Sequence, residues 1–220
     1  MAFTVRSGVS FCRPGDRTIF LDLPRDRYFC LSRDAERAFR ELEASPERRA
    51  TDFPALRAAV DDGLLRDGGC DAAAPATPPQ QVTSSSLAVT ATASIPQTLL
   101  MAARLATATL AIKALALERN VVGLARRKAS LCAESTPPDI VLRDVAAALQ
   151  RCGALVTPLD RCLPRSLATA HRLLDRHVAP TFILGVKLGP FEAHAWVQHG
   201  TTVVNDVVDN VRRFTPILVL

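Results

Sequence analysis

Apolar and polar residues alternate in short runs at the start of the chain. Alternation with a period of two is typical of β-strands that bury one face. Turn-forming residues separate the runs, at 14–16 and at 23–26. The pattern therefore predicts short strands over 3–6, 9–12, 17–23 and 27–31.

The apolar spacing then changes to that of an α-helix. Ser32 is a favourable N-cap, so a helix is expected over 33–44. A second helix is expected to begin at Thr51 or Asp52, with Pro54 in its first turn. Strands followed by helices in this order indicate a small winged-helix-like module.

Composition divides the chain after these helices. Residues 71–94 are rich in Pro, Ser, Thr and Ala, and they carry no charge after Asp71. Such a segment is typical of a linker. We therefore expect an N-terminal module over 1–70, a linker over 71–94 and a second domain over 95–220.

The second domain begins with helical patterns and ends with strands. Helices are predicted over 96–119 and 140–150, and a third is predicted to begin at Cys162. In the first helix the residues expected to face inward are Leu99, Leu100, Ala103, Leu110 and Leu117. Antiparallel strands separated by turn residues are predicted over 181–188, 191–198 and 202–208. The fold class of the whole chain is therefore α+β.

Charge and targeting signals narrow the function classes. The net charge is +5, but the arginines alternate with acids and form no basic block with aromatic residues, so no nucleic-acid partner is expected. The N-terminus lacks the pattern of a signal peptide. No run of about 18 consecutive apolar residues predicts a membrane span. We expect a cytoplasmic protein without a membrane partner.

The cysteines are expected to be reduced, because the sequence shows no export signal and their spacing is irregular. The sequence contains no CxxC motif and no histidine pair at ligand spacing, so no metal is expected. Neither the phosphate-binding motif GxxxxGK[ST] nor the dinucleotide-binding motif GxGxxG occurs. We therefore expect no cofactor.

Three residues near the C-terminal end have the chemistry of a cysteine hydrolase. Cys162 precedes Pro164, which marks the first turn of a helix, and a helix N-terminus lowers the pKa of a thiol. His194, in a predicted strand, can accept the thiol proton, and Asp206 in the next strand can orient the imidazole. Cys152 is the rival nucleophile, but it ends a helix instead of beginning one.

The loop between the last two predicted strands decides which residue faces His194. A two-residue loop at His199-Gly200 would pair His194 with Asn205, whereas a three-residue loop over 199–201 would pair it with Asp206. Either side chain can accept a hydrogen bond from an imidazole. We favour Asp206, because a carboxylate also stabilises the imidazolium.

Several segments carry a family resemblance: Cys162-Leu163-Pro164-Arg165-Ser166-Leu167, Gly185-Val186-Lys187-Leu188-Gly189-Pro190-Phe191, Ala193-His194-Ala195-Trp196-Val197 and Asn205-Asp206. In this order they resemble the lasso-peptide B proteins, the transglutaminase-like leader peptidases of lasso-peptide biosynthesis. The N-terminal part looks like the PqqD-like peptide-recognition element that many of these proteins carry. That second likeness rests on the segments 20–22 and 28–31 and on the helices after them.

The resemblance implies a fold and a function. The second domain would be transglutaminase- or papain-like, with helices packed on an antiparallel sheet, and its Cys-His-Asp triad would cut the leader from a ribosomally made precursor. The N-terminal module would bind the leader as an added β-strand. The residues expected to bind substrate are Tyr28, Phe29, Leu31, Arg165 and Trp196.

The resemblance also implies a partner, an ATP-using cyclase similar to asparagine synthetase. Any ATP requirement is expected through that partner. An alternative function is a non-catalytic adaptor that binds the leader and delivers the precursor to the cyclase. Acyl transfer to an amine would use the same triad, and it differs from hydrolysis in whether an amine or water ends up on the leader.

Overall fold

The computed structural model describes residues 3–45, 47–68, 76–88, 92–131, 138–153 and 162–220. The chain forms two compact units, Met1–Thr77 and Pro78–Leu220. Helices and strands occur in both units, so the predicted α+β class is confirmed.

The first unit combines short strands with one long helix. Its elements in chain order are β1 (Phe3–Val5), β2 (Val9–Cys12), β3 (Ile19–Asp22), β4 (Arg27–Cys30), α1 (Arg33–Ala44), α2 (Arg57–Asp61) and β5 (Leu65–Asp67). Strands β2, β3 and β4 form an antiparallel sheet with β3 in the middle, and β1 pairs with β5. Helix α1 begins where its N-cap predicts, because the Ser32 hydroxyl accepts the N–H of Ala35.

The predicted second helix is shorter than expected. The segment first forms two 3₁₀ turns, Ala50–Asp52 and Pro54–Leu56, and only then enters α2 at Arg57. Phe53 takes an extended conformation, with φ −111° and ψ 102°. The ring of a proline disfavours helical geometry in the residue before it, so Phe53 is extended and Pro54 begins a separate 3₁₀ turn instead of lying in the first turn of one continuous helix.

Aromatic packing joins α1 to the sheet of the first unit. Phe39 of α1 makes edge-to-face contacts with Phe3, Phe11 and Phe20, with ring centroids 5.3 to 5.6 Å apart. Each such pair adds about 0.5–1.5 kcal/mol to the burial of its surface. Phe20 also stacks on Phe29 of β4 at 5.2 Å, which fixes this edge strand on the core.

The second unit places helices against one sheet. Its elements in chain order are β6 (Ser84–Ser85), α3 (Ile95–Ala114), α4 (Leu117–Ala129), α5 (Pro138–Gly153), α6 (Cys162–Asp175), β7 (Thr181–Lys187), β8 (Glu192–His199), β9 (Thr202–Val203), α7 (Val208–Val211) and β10 (Thr215–Val219). The strands lie in the order β10-β7-β8-β9-β6, and all pairs are antiparallel except β6 with β9. Helix α6 packs on β8 and contacts α3 and α5.

The predicted linker over 71–94 is wrong for residues 78–88, which belong to the second unit. Val82 is buried in the core beside the sheet, and β6 pairs with β9. The N–H groups of Thr83 and Ser84 donate to the carbonyl of Thr201. Main-chain hydrogen bonds hold this segment in place. Such bonds require no alternation of apolar residues, so the sequence did not predict the strand. Residues 71–75 and 89–91 lie outside the described residues.

Helix α3 buries a different face from the predicted one. Exposed residues that were expected inside are Leu99, Leu100, Ala103 and Leu110. Leu117 is buried but belongs to α4, because α3 ends at Ala114. The helix is apolar around most of its circumference, so spacing alone selects no face. On the face that packs inward, Met101 and Ala108 are buried, and the guanidinium of Arg104 donates to Asp175 of α6 at 2.8 and 3.0 Å.

By length and composition, α3 could also cross a membrane. In the structure, 11% of its most apolar stretch is buried. The core helix of a globular protein can pass the same test. A single helix of this kind is weak evidence for membrane insertion.

Candidate active site

Cys162 is the first residue of α6. Its sulfur hydrogen-bonds the imidazole of His194 and the backbone N–H groups of Leu163 and Ala195. Hydrogen bonds to the charged form of a group favour that form, and the positive end of the α6 dipole acts in the same direction. The surroundings of the sulfur therefore favour a thiolate.

His194 lies on β8, opposite Gly185 of β7. Its Nε2 hydrogen-bonds Oδ2 of Asp206, which leaves Nδ1 to face the thiol of Cys162. The ring of Phe214 stacks on the imidazole with centroids 4.9 Å apart. Partners at both nitrogens and an aromatic ring on one face hold the imidazole in one orientation.

Gly185 makes room for this arrangement. A Cβ at this position would lie 2.6 and 2.8 Å from two ring carbons of Trp196 and 3.0 Å from Cβ of Phe214. The two distances to Trp196 are shorter than real Cβ contacts, and the one to Phe214 is tighter than most. Only glycine therefore lets both aromatic rings close over β7 beside the strand that carries His194.

Asp206 is held by several donors. Besides the imidazole, the N–H of Val207 donates to Oδ1 at 2.7 Å, and Nδ2 of Asn210 donates to Oδ1 and Oδ2 at 3.1 and 3.0 Å. The Ser85 hydroxyl of β6 donates to the main-chain carbonyl of Asp206 at 2.6 Å. The carboxylate is thus fixed both through its side chain and through its backbone.

Both loops weighed from the sequence are misplaced: the loop has two residues, but it lies one residue further along the chain than His199-Gly200. The turn is Gly200-Thr201, which pairs His199 with Thr202. Strand β9 then ends after two residues and the chain bends, so strand register brings no residue to face His194. Asp206 reaches the imidazole from the bend that follows β9.

Asn205, the alternative orienting residue, lines the same cavity, but its hydrogen bonds go to other groups than His194. Its Oδ1 accepts the N–H of Val197 at 2.8 Å, and its Nδ2 donates to Oγ of Ser166 at 2.8 Å. Both ends of the amide are therefore engaged in the core. Asp206, not Asn205, is the residue that contacts the imidazole.

The pKa shifts agree with the geometry. Burial acts to raise the pKa of the Cys162 thiol, but the hydrogen bonds and the charge of the imidazole outweigh it and lower the pKa. Burial acts to lower the pKa of His194, but Asp206 and Cys162 raise it to about 9. The pKa of Asp206 is lowered, because the hydrogen bonds that it accepts outweigh its burial. At neutral pH these shifts favour a thiolate–imidazolium pair.

The three side chains face a cavity of about 500 Å³. Arg165 of α6 and Glu192 of β8 add one charge of each sign to its wall, and Leu87 and Phe214 add apolar surface. Trp196, which was expected to bind substrate, does not line the cavity and is only 3% exposed. Its indole packs over Gly185, so its role is in the core, and that prediction is wrong.

The other cysteines described by the structure are free thiols with different surroundings. Cys152, the rival nucleophile, is buried, and its Sγ donates to the carbonyl of Thr98. Burial raises its pKa and raises that of Cys12 to about 12. Cys70 and Cys132 lie outside the described residues. Within the described ranges, no group of three or more His, Cys, Asp or Glu side chains could hold a metal ion.

The leader-binding residues predicted in the first unit lie on or beside β4. In the described sheet, β4 is an edge strand. Beside it is a cavity of about 190 Å³, whose lining includes Arg27, Phe29, Leu31, Ala58 and Asp62. Phe29 and Leu31 therefore face a groove between the edge strand and α2, whereas Tyr28 is not part of that lining.

Sequence reasoning missed two residues of the site, Asn210 and Phe214. Asn210 lies on α7, a helix of only four residues without an apolar period that could predict it. The four-residue spacing between Asp206 and Asn210 is the one local signal, because it matches a single helical turn. Phe214 follows α7 and is brought to His194 by β10, a strand that was not predicted.

The comparisons with known proteins agree with this architecture. A family model described as the transglutaminase-like superfamily matches residues 102–219, more than half of the chain. No curated protein and no solved structure matches the chain.

Proposed function

Because the chain belongs to the transglutaminase-like superfamily, we propose that it is a cysteine peptidase that removes the leader from a ribosomally made lasso-peptide precursor. One observation carries this proposal: the thiol of Cys162, the imidazole of His194 and the carboxylate of Asp206 are in sequential contact at one cavity. Amide cleavage by a cysteine needs this arrangement. The sequence resemblance to lasso-peptide B proteins supplies the substrate class.

The first stage of the proposed reaction forms a thioester. The Cys162 thiolate attacks the carbonyl carbon of the scissile amide, and negative charge develops on the carbonyl oxygen beside the N-terminus of α6. The His194 imidazolium then donates its Nδ1 proton to the leaving nitrogen. The C–N bond breaks, the core peptide leaves with a free amino terminus, and the leader stays bound to sulfur.

The second stage releases the leader. Neutral His194 takes a proton from water, and the resulting hydroxide attacks the thioester carbon. The C–S bond breaks, the leader leaves with a new carboxyl terminus, and the thiolate–imidazolium pair forms again. Asp206 holds Nε2 throughout and stabilises the positive charge whenever the imidazole is protonated. An added amine that replaced water here would give acyl transfer.

The cavity wall provides for substrate binding beside the sulfur. Arg165 lies about one turn into α6 after Cys162 and is part of the cavity lining. In this proposal it binds a carbonyl or carboxylate group of the precursor near the scissile bond. Glu192, on the β8 side of the same cavity, is paired with Lys187 at 3.0 Å and is therefore partly neutralised.

The first unit binds the leader in this proposal. The outer edge of β4 carries N–H and C=O groups without a neighbouring strand in the described sheet, so an extended peptide can add to it. The groove lined by Phe29 and Leu31 accepts apolar side chains of that peptide, and Arg27 and Asp62 supply charges at its rim. Tyr28 keeps its predicted leader-binding role on the same strand.

The proposed partner is the ATP-using cyclase that closes the macrolactam on the released core. Each step of the cleavage uses only groups of this chain and water, so an ATP requirement of the complete pathway belongs to the partner. The proposed place of action is the cytoplasm, where ribosomally made precursors arise.

The test is mass spectrometry of candidate precursor peptides incubated with the full chain, with and without the cyclase and ATP. We expect Cys162→Ala to abolish the cleaved leader and core while leader binding, measured by fluorescence anisotropy, stays unchanged. Cys152→Ala is the matched control, because it removes a buried thiol that bonds the carbonyl of Thr98 and is not part of the cavity lining, and it should still cleave. Cleavage by Cys162→Ala at the wild-type rate would contradict the proposal and favour the adaptor function.

A further inference from the structure

A pair of buried polar side chains, Ser166 and Asn205, lies behind the catalytic groups. Ser166 is one turn after Cys162 on α6 and is fully buried, and Asn205 directly precedes Asp206 and is 7% exposed. The Ser166 hydroxyl donates to the carbonyl of Ala195 at 2.8 Å and accepts Nδ2 of Asn205 at 2.8 Å. Polar groups this deeply buried are costly unless they are bonded, and these are fully bonded.

The pair completes an edge of β8 that no strand covers. Strand β9 pairs with β8 only at Gln198 and His199 in the described sheet. Further along the same edge, the carbonyl of Ala195 is bonded by Ser166 and the N–H of Val197 by Asn205. Backbone groups buried without partners would destabilise the strand, so two side chains take the place of a neighbouring strand.

The hydrogen bonds of the pair permit only one arrangement. Oδ1 of Asn205 accepts from a backbone N–H, so its Nδ2 must donate to Ser166. The Ser166 hydroxyl has a single proton, and the carbonyl of Ala195 takes it. A slide of α6 along β8 would break both bonds of the Ser166 hydroxyl at once, the one to Ala195 and the one to Asn205.

Each member of the pair is a close neighbour in sequence of one catalytic group, and the bonded carbonyl belongs to the residue after His194. We propose that Ser166 and Asn205 are positioning residues that lock the Cys162 helix, the His194 strand and the Asp206 bend in catalytic register. This inference rests on the proposed function in that Cys162 is taken as the nucleophile. Neither side chain contacts the sulfur or the imidazole in any bond described above, so both act through their neighbours.

The test measures how acidic the Cys162 thiol is, and it requires no peptide substrate. The full chain is alkylated with iodoacetamide between about pH 6 and pH 10, where thiolate formation controls the rate. Modification of Cys162 is followed by peptide mass spectrometry, with exposed Cys30 in the same molecule as the reference thiol. The rate near pH 6.5 is divided by the rate near pH 9.5 to report the thiolate fraction at low pH.

We expect Ser166→Ala to lower this ratio at least about threefold, because the imidazole no longer sits in register with the sulfur and the pKa of the thiol rises. Ser166→Cys keeps the volume and a weak donor, so its ratio should lie between those of Ser166→Ala and the wild type. Thr169→Val is the matched control, since the Thr169 hydroxyl lies on the same helix and has no hydrogen-bond partner among the described residues. Its ratio should stay within about twofold of the wild type.

A purely structural role would lower the melting temperature of Ser166→Ala and leave its ratio at the wild-type value, and that result overturns the proposal. If Ser166→Ala does not fold, the ratio of Ser166→Cys decides in the same way. We expect Asn205→Ala to lower the ratio as much as Ser166→Ala does. The double variant should lower it no further, because the pair acts as one unit. Additive losses would contradict it. An active thiol in a wild-type chain that cuts no precursor would count against the leader-peptidase function and leave the positioning result intact.

Discussion

Replacing Asp206 by Asn tests how the catalytic groups share their charge. The amide keeps the shape of the carboxylate, and its Oδ1 can still accept the Nε2 proton of His194. The negative charge is lost, and the amide NH2 takes the place of the oxygen that accepts the N–H of Val207. The volume of the side chain is unchanged, so a change in the titration of His194 does not arise from a cavity.

The size of the effect follows from the pKa of His194. Burial acts to lower that pKa, and hydrogen bonds and charges from Asp206 and Cys162 raise it to about 9. Without the charge of Asp206 the pKa should fall to about 6.5, the ordinary value of a histidine. Near pH 7.5 the imidazolium fraction would then drop from about 97% to about 9%, roughly tenfold. Poorer proton transfer to the leaving amine adds to this, so we expect a total loss of about 10²–10³ in kcat.

The sign of the pH dependence can be read from the two limbs of the rate profile. The ion pair is lost at low pH, when the thiolate of Cys162 is protonated, and at high pH, when the His194 imidazolium loses its proton. The wild-type chain should therefore lose activity above about pH 9. In Asp206→Asn the descending limb should move down by about two units or more.

Two measurements check this prediction. The first is kcat/KM for precursor cleavage across the pH range, and the second is the NMR titration of the His194 ring, which needs no substrate. Asp209→Asn is the control, because Asp209 is exposed and close in sequence and carries the same charge. An Asp206→Asn chain whose imidazole still titrates near 9 would refute the electrostatic reasoning.

Two further predictions concern the support of the imidazole. Gly185→Ala should destabilise the chain by about 1–3 kcal/mol, because its Cβ would overlap the ring of Trp196, whereas Gly123→Ala should stabilise it by about 0.5–1 kcal/mol, because its Cβ would meet no atom within 4 Å. Chemical denaturation compares the two, and equal effects would contradict the packing argument. Asn210→Ala removes donors to the Asp206 carboxylate, and a hydrogen bond to a charged group is worth about 1.5–3 kcal/mol, so kcat should fall about tenfold or more. Unchanged kcat at saturating substrate would show that Asn210 does not position the acid.

Local signals were enough to predict the start of the catalytic helix and most strands. Pro164 is compatible only with a first helical turn, and it located the start of α6 at Cys162. Alternation with a period of two located β7 and β8 within one or two residues. These features depend on neighbours in sequence, which a single chain displays directly.

Features that depend on distant contacts could not be predicted in the same way. The orientation of α3 depends on its packing against α5 and α6, which includes the contact of Arg104 with Asp175, and these residues are far apart in sequence. The approach of Asp206 to His194 follows from a bend after β9. The register argument for Asp206 therefore led to the right residue for the wrong reason, and the one for Asn205 led to the wrong residue. Trp196 was expected at the substrate because it lies two residues after His194 on the same strand. Its indole instead packs over Gly185 of β7, a contact across the sheet that the sequence does not show.

The segment before α3 determines where the catalytic unit can be separated from the rest of the chain. Val82 is a core residue, and Ser85 binds the carbonyl of Asp206, although both precede the matched family region at 102–219. A recombination point between these residues and the matched region would keep the family domain but remove the hydrogen bond from Ser85 to Asp206 and the pairing of β6 with β9. Genuine exchange of this half between proteins therefore has to carry residues 78–88 along with it.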